Sequence, residues 1–185
     1  MELSRLVLLL LVMTVVEVRD TQSSNIDYVC NPRVRDQQIQ KVNDLRSVMI
    51  VCSAAALLPS PVQLPFVGVR KETWKKKSMQ VKRAEIVSEL RMFSESIESM
   101  REGNQSDCLS ILLDRLSHSI TNHILIITNL QLPGEKVNQD RPDSARSTQK
   151  LQDVQKTYSN LLKGKMESFL KELEEDFCEG RADDS

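Results

Sequence analysis

Glycine and aromatic residues are scarce in this chain of 185 residues, which holds 5 glycines and 4% aromatic side chains. Few glycines argue against the loops that cradle phosphates, and no phosphate-loop or dinucleotide-binding pattern occurs. Few aromatic residues argue against a β-rich fold, whereas the abundant Leu, Ile, Glu, Lys and Ser suit helices. With 40% apolar and 28% charged residues, the composition is that of one globular all-α domain.

The chain also lacks net charge, because 25 basic side chains face 26 acidic ones and the formal charge is −1. This balance argues against a nucleic-acid binder and against attraction to an anionic membrane. No serine-hydrolase or zinc-protease motif is present, and His118 and His123 lie about 140° apart around one predicted helix. We therefore expect no catalytic residue, no metal site and no cofactor, and we interpret both histidines as ordinary helix residues.

Long hydrophobic runs are missing except near the N-terminus, where the uncharged run Leu6–Val16 follows Arg5. The run is shorter than the roughly 18 apolar residues that a membrane-spanning helix needs, and it is typical of a secretory signal peptide. The alternative is a buried N-terminal helix. We expect a signal peptide at residues 1–21, cleaved between Arg19 and Ser24, and a secreted mature domain at residues 22–185 without membrane insertion.

Four segments carry the helical spacing of apolar residues, namely Arg33–Val51, Trp74–Met100, Asp107–Leu130 and Ser147–Phe177. Asn31 and Thr73 are candidate caps for the first and second segments. The second and third segments are joined by a short link, but the other two links, Ser53–Thr73 and Gln131–Arg146, are long and contain prolines. Two long crossovers around one short turn predict a four-helix bundle with up-up-down-down topology. Long links can instead be disordered insertions.

The four cysteines, at positions 30, 52, 108 and 178, allow three pairings in a secreted chain. Cys30 and Cys52 flank the first predicted helix and lie about 33 Å apart, far beyond the roughly 7 Å that a disulfide spans. In an up-up-down-down bundle, the start of the first helix meets the end of the fourth, and the end of the first meets the start of the third. The sequence therefore predicts the disulfides Cys30–Cys178 and Cys52–Cys108.

Three polar features complete the pattern. Asn104 opens the sequon Asn104-Gln105-Ser106, and we expect it to carry a glycan. Basic residues collect at the start of the second predicted helix and acidic residues at the end of the fourth, so both clusters oppose the helix dipole. We expect them either to compensate each other or to bind a partner. Gly164, between Lys163 and Lys165, indicates close approach by the first crossover or by a binding partner.

Several motifs, spread in order over almost the whole mature chain, resemble the thrombopoietin and erythropoietin family. They are Cys30-Asn31-Pro32-Arg33-Val34, Leu58-Pro59-Ser60-Pro61-Val62-Gln63-Leu64-Pro65, Trp74-Lys75, Cys108-Leu109-Ser110-Ile111-Leu112-Leu113 and Leu161-Leu162-Lys163-Gly164-Lys165, followed by Cys178. The resemblance implies a long-chain four-helix bundle cytokine. Such a hormone is monomeric, brings two chains of a class I cytokine receptor together, and activates Janus kinases and STAT signalling.

Two branches of the family stay open. The proline-rich crossover and the cysteine that opens the third helix look like thrombopoietin, which implies the thrombopoietin receptor and control of megakaryocyte or thrombocyte production. Tyr158-Ser159-Asn160 and the sequon look more like erythropoietin, which implies the erythropoietin receptor and erythroid progenitors. The cysteine frame favours thrombopoietin, since Cys52 has no nearby cysteine. A secreted helical carrier of lipids or small molecules is the more distant alternative.

The resemblance also implies five receptor-binding residues, which are Arg33, Pro65, Lys75, Lys163 and Lys165. The chain departs from the family pattern at Asn31, Gln37, Thr73, Glu167 and Thr121, and Thr121 belongs to the weaker of the two receptor faces. On this assignment, charge reversal at Lys165 should weaken receptor binding without unfolding the bundle.

Overall fold

The computed structural model describes residues 25–51, 57–101, 107–137, 142 and 144–178. The expected signal peptide at residues 1–21, Cys52 and the sequon at Asn104 lie outside the described residues. Residues 25–30 are helical and precede the first long helix.

Four long helical segments form the bundle, and the sequence predicts each of them. They are α1 (Pro32–Val51), α3 (Met79–Arg101), α4 (Asp107–Asn129), and a fourth helix made of α5 (Leu151–Leu161), a π-helical turn (Leu162–Met166) and α6 (Glu167–Phe177). The first helix packs against α4 and α5, and α3 packs against α4. The fold is the expected all-α, up-up-down-down bundle.

The first long helix, α1, begins directly after Asn31, its predicted cap. The Asn31 side-chain oxygen accepts a hydrogen bond from the backbone N–H of Arg33 at 3.1 Å, which satisfies one of the donors that a helix leaves unpaired at its start. Pro32 follows at the first helical position, where its missing N–H leaves no intrahelical bond unmade.

The second predicted helix is in fact two helices. A short helix, α2 (Lys71–Lys75), contains the buried Trp74, and the chain turns before α3 begins at Met79. The Ser78 hydroxyl accepts a hydrogen bond from the Val81 N–H at 3.3 Å, so Ser78 is the cap. The break removes a run of lysines from the first turn of α3, where the helix dipole disfavours cations. The prediction of Thr73 as cap is wrong, because its hydroxyl donates to the Arg70 carbonyl at 3.0 Å.

The two crossovers pair with each other, which the sequence analysis missed. Strand β1 (Leu57–Pro65) and strand β2 (Ser144–Lys150) form an antiparallel two-stranded ribbon, with Val62 opposite Thr148 and Leu64 opposite Arg146. Val62 and Leu64 are buried and Gln63 between them is exposed, as the alternation of a strand requires. The fourth helix therefore begins at Leu151 and not at Ser147. The described strands of the two crossovers are regular structure and not disordered insertions.

The ends of the bundle are joined by the disulfide Cys30–Cys178, whose Cα atoms lie 5.7 Å apart. It brings the start of α1 to the end of α6, as the topology predicts. Cys108 is also disulfide-bonded, while its predicted partner Cys52 lies outside the described residues. The Cys52–Cys108 pairing stays a prediction.

A buried arginine joins the same two helices. Arg35 is 2% exposed, and its guanidinium donates to the Glu167 carboxylate at 3.0 and 3.2 Å and to Glu174 at 3.3 Å. It also donates to the backbone carbonyl of Val29. Glu167, a departure from the family pattern, thus serves as an internal partner of α1.

A second buried cation, Lys165, joins the fourth helix to α3. Lys165 is 2% exposed, and its ammonium binds Glu85 at 2.7 Å, Glu89, and the Phe66 carbonyl at 3.4 Å. These partners lie on α3 and at the end of the first crossover, so Lys165 faces the interior of the bundle. The assignment of Lys165 as a receptor contact stays a prediction, and the burial and pairing of its ammonium do not favour it.

The two glutamates of this cluster respond to burial differently. Burial raises the pKa of Glu89 to about 7, and the nearby Lys165 only partly offsets that effect. Burial alone would also raise the pKa of Glu85, but hydrogen bonds from Lys165 and Lys77 bring that pKa below its usual value. The two carboxyls differ in pKa in part because Glu85 has a second cation, Lys77, as a hydrogen-bond partner.

Peptide mapping under non-reducing conditions should find Cys30–Cys178 and Cys52–Cys108, because only this pairing joins cysteines at the same ends of the bundle. A crosslinked peptide that joins Cys30 to Cys52 would contradict the topology.

Replacing Lys165 with Met should lower the free energy of unfolding by about 3–5 kcal/mol, because it leaves buried carboxylates without their partner. Lys163→Met is the matched control; Lys163 is exposed, and its loss should change stability by no more than about 0.5 kcal/mol. Urea unfolding followed by circular dichroism measures both. If the two variants have equal free energies of unfolding, the Lys165 cluster does not stabilise the fold.

Candidate functional site

The five residues that the resemblance implies for receptor binding do not share one surface. Arg33, Lys75 and Lys163 are exposed, whereas Pro65 and Lys165 are buried. Lys163 and Lys165 lie two positions apart on the fourth helix, and residues at that spacing point to opposite sides of a helix. The spacing alone could therefore have indicated that only one of the two reaches the surface.

Lys163 lies on a groove between α1 and the fourth helix. The groove has a volume of about 460 Å³, and its rim carries the cations Arg46, Lys156 and Lys163. Asp153 is the acidic residue among the lining side chains. We call this surface the α1–α5 groove, and its charge is positive.

Hydrogen bonds between the two helices fix the floor of this groove. The Gln155 side-chain amide donates to the Val42 carbonyl at 3.0 Å, and the Ser159 hydroxyl donates to the Asn43 side-chain oxygen at 2.9 Å. Both donors are buried. These bonds fix α1 against the fourth helix, so the fold sets the backbone positions from which the cations project.

Gly164 adds open space beside Lys163. It lies in the π-helical turn, and a Cβ at this position would meet no described atom within 4 Å. The expectation that the first crossover approaches Gly164 closely is therefore wrong. A single π-helical turn within an α-helix is often found at functional sites.

Arg46 and Lys156 in this groove are not among the residues that the sequence predicts for receptor binding. Lys156 and Lys163 are seven residues apart on the fourth helix and so lie on one face two turns apart, a signal that the sequence does contain. No pattern in the sequence around Arg46 indicates that it lies beside this groove. Arg33 is exposed on α1 about 20 Å from Arg46 along the helix axis, and neither Arg33 nor Lys75 lines the groove.

A second groove lies on the other side of α1, against α4. Its volume is about 600 Å³, and its lining includes Lys41, Asp44, Arg115 and His118. Two cations and one carboxylate line this groove, against three cations and one carboxylate in the α1–α5 groove, so its positive charge is smaller. Thr121 is exposed on α4 but does not line this groove.

The two histidines of α4 differ in environment. His118 is exposed, whereas His123 is fully buried with its Nδ1 2.6 Å from the Tyr158 hydroxyl and 2.8 Å from the Ser119 carbonyl. Burial lowers the pKa of His123 to about 4, so the ring is neutral and serves as a hydrogen-bonding group of the core.

The described part of the chain contains no group of three metal-binding side chains. No helix within the described ranges is both long and apolar enough to cross a bilayer.

Comparison with known proteins agrees with this architecture. Residues 27–181 match the family described as Erythropoietin/thrombopoietin. The chain is 26% identical to erythropoietin of Danio rerio over 84% of its own length and 86% of the relative's. It is 30% identical to thrombopoietin of Mus musculus and 29% identical to that of Rattus norvegicus, in both cases over 61% of its length. Those matches span 32% and 35% of the two thrombopoietins.

Members of this family are secreted hormones that bind class I cytokine receptors, and they are not enzymes. The chain belongs to the erythropoietin/thrombopoietin family of helical cytokines.

Proposed function

We propose that this protein is a secreted haematopoietic cytokine that brings two chains of a class I cytokine receptor together and so activates Janus kinases and STAT signalling. The α1–α5 groove is the observation that supports this function best. It places three exposed cations on helices that hydrogen bonds fix against each other, a surface suited to an acidic receptor loop, because charge complementarity gives an interface both specificity and a fast association rate.

The stronger receptor face is then the α1–α5 groove, with Arg46, Lys156 and Lys163 as its central contacts. Arg33 lies about 140° around α1 from Arg46 and outside this groove, so it stays a separate proposed receptor contact. The groove between α1 and α4 is the weaker face. Because α1 borders both grooves, one monomeric ligand presents two separate surfaces to two receptor chains.

For the receptor itself we propose the thrombopoietin receptor, on the strength of the cysteine frame. Cys108 opens α4 and takes part in a disulfide, and a cysteine at this position resembles thrombopoietin. We further propose that residues 1–21 are removed on secretion and that Asn104 carries a glycan.

The erythropoietin receptor is the second candidate, because the match to Danio rerio erythropoietin covers most of both chains. The likeness at Tyr158-Ser159-Asn160 adds little to this candidate. Tyr158 and Ser159 are buried, and Tyr158 lies within hydrogen-bond distance of His123. Two of the three residues therefore pack the core and do not meet a receptor.

The choice between receptors can be tested with two factor-dependent cell lines that carry the thrombopoietin or the erythropoietin receptor, matched to the source species. STAT phosphorylation after addition of the purified mature protein should appear only in the first line. A response only in the second would assign the protein to the erythropoietin receptor. No response in either line would contradict the proposed cytokine function.

Charge reversal tests the α1–α5 groove. The variants Arg46→Glu and Lys163→Glu should each weaken binding to the immobilised receptor ectodomain about tenfold or more, because each places an anion where the receptor presents one. Surface plasmon resonance measures the affinity, and circular dichroism checks that the fold is retained. Lys136→Glu is the matched control, since Lys136 is exposed and lines neither groove. Unchanged affinity in both groove variants would place the stronger face elsewhere.

A further inference from the structure

A basic patch lies between the first crossover and α3. Four exposed cations, Arg70, Lys71, Lys75 and Lys76, lie in or beside the short helix α2. Glu72 is the acidic residue of this segment. We call these four residues the α2 patch.

The structure separates the α2 patch from the other cations that follow it in the chain. Lys77 pairs with Glu85, and Lys82 pairs with Glu172 at the end of the fourth helix. Arg83 donates to the Leu130 carbonyl at 3.1 Å. These three cations are neutralised or bonded within the bundle, so part of the basic cluster is compensated internally, as the sequence suggests.

No ion pair reaches the α2 patch from any residue within the described ranges. Lys71 and Lys75 are four positions apart and lie on one face of α2, with Cβ atoms about 5–6 Å apart. Arg70 and Lys76 flank them. Like charges at this separation repel one another. A partner with repeated negative charge would reduce this repulsion between the cations of the α2 patch.

The patch stands on a fixed support. Trp74 of α2 is 5% exposed, and its ring lies under the ammonium groups of Lys77 and Lys82, with distances of 5.7 and 5.6 Å to the ring centroid. A buried aromatic anchor of this kind holds the short helix on the bundle. The four cations are therefore presented by an anchored segment and not by a loose loop.

We propose that the α2 patch binds sulfated glycosaminoglycans, the linear polyanions of the extracellular surface. Sulfate groups are ionised throughout the extracellular pH range, and their repetition along a chain suits a row of exposed cations. This function is additional to receptor binding, and it depends on the protein being secreted.

Heparin chromatography tests this proposal. Wild-type protein should be retained on immobilised heparin at physiological salt and elute as salt is raised, because salt screens exposed charges. The double variant Lys71→Gln/Lys76→Gln should bind heparin roughly 10- to 30-fold more weakly, given the usual contribution of a lysine near a polyanionic surface. It keeps Lys75 and every residue of the α1–α5 groove, so its affinity for the receptor should not change.

The matched control removes the same number of charges from the α1–α5 groove. Lys156→Gln/Lys163→Gln should retain wild-type affinity for heparin and lose affinity for the receptor. Loss of heparin binding in this control to the same extent would overturn the proposal, because the effect would then reflect total charge alone. Failure of the control to lose receptor binding would contradict the proposed receptor face and leave the heparin result intact.

The same variants distinguish two other possible partners of the α2 patch, the receptor and an anionic membrane. If Lys71→Gln/Lys76→Gln loses receptor affinity but keeps heparin affinity, the α2 patch is a receptor contact and the proposal is wrong. Sedimentation with phosphatidylserine vesicles tests a membrane partner. Vesicle binding that depends on Lys71 and Lys76, without retention on heparin, would also overturn the proposal.

Discussion

The ion cluster around Lys165 is the interaction on which the arrangement of the crossover depends. A single ammonium bonds to two carboxylates of α3 and to a carbonyl at the end of the first crossover. Removing such a charge from water is costly unless it is paired and hydrogen-bonded. The fourth helix, α3 and the crossover must therefore stay in register for the lysine to remain buried, and the π-helical turn that contains Lys165 also carries the exposed Lys163 on its other side.

Two sets of cations in this protein differ in their surroundings. Arg35, Lys82 and Lys165 are buried and bind glutamates of other helices. Arg46, Lys156 and Lys163 are exposed beside the α1–α5 groove. Both sets contain arginine and lysine, so the residue type does not decide which cations are buried. Each of these buried cations has a carboxylate on another helix within bonding distance. A basic residue of a family motif can therefore be required for the fold, even where the motif as a whole is associated with receptor binding.

The parts of the fold that follow from local patterns could be predicted from sequence. Apolar spacing predicted the four helices, Asn31 predicted a cap, and the link lengths predicted the topology and with it Cys30–Cys178. The crossover ribbon could not be predicted in this way, because β1 and β2 are more than 70 residues apart and their prolines and polar residues hide the alternation of a strand. The burial of Lys165 was missed for a related reason, since its partners lie 76 and 80 residues away.

The length of α1 also matters while the chain is being made. The partners of Arg35 lie 132 and 139 residues after it, so at about 5–20 residues per second they follow it by about 7–28 s. During that interval Cys52 is the cysteine nearest to Cys30 in the sequence, and Cys108 is also made before Cys178. Once its 20 residues are helical, α1 spans about 30 Å, far more than a disulfide can bridge. A helical α1 therefore disfavours a crosslink between positions 30 and 52, in keeping with the Cys30–Cys178 disulfide.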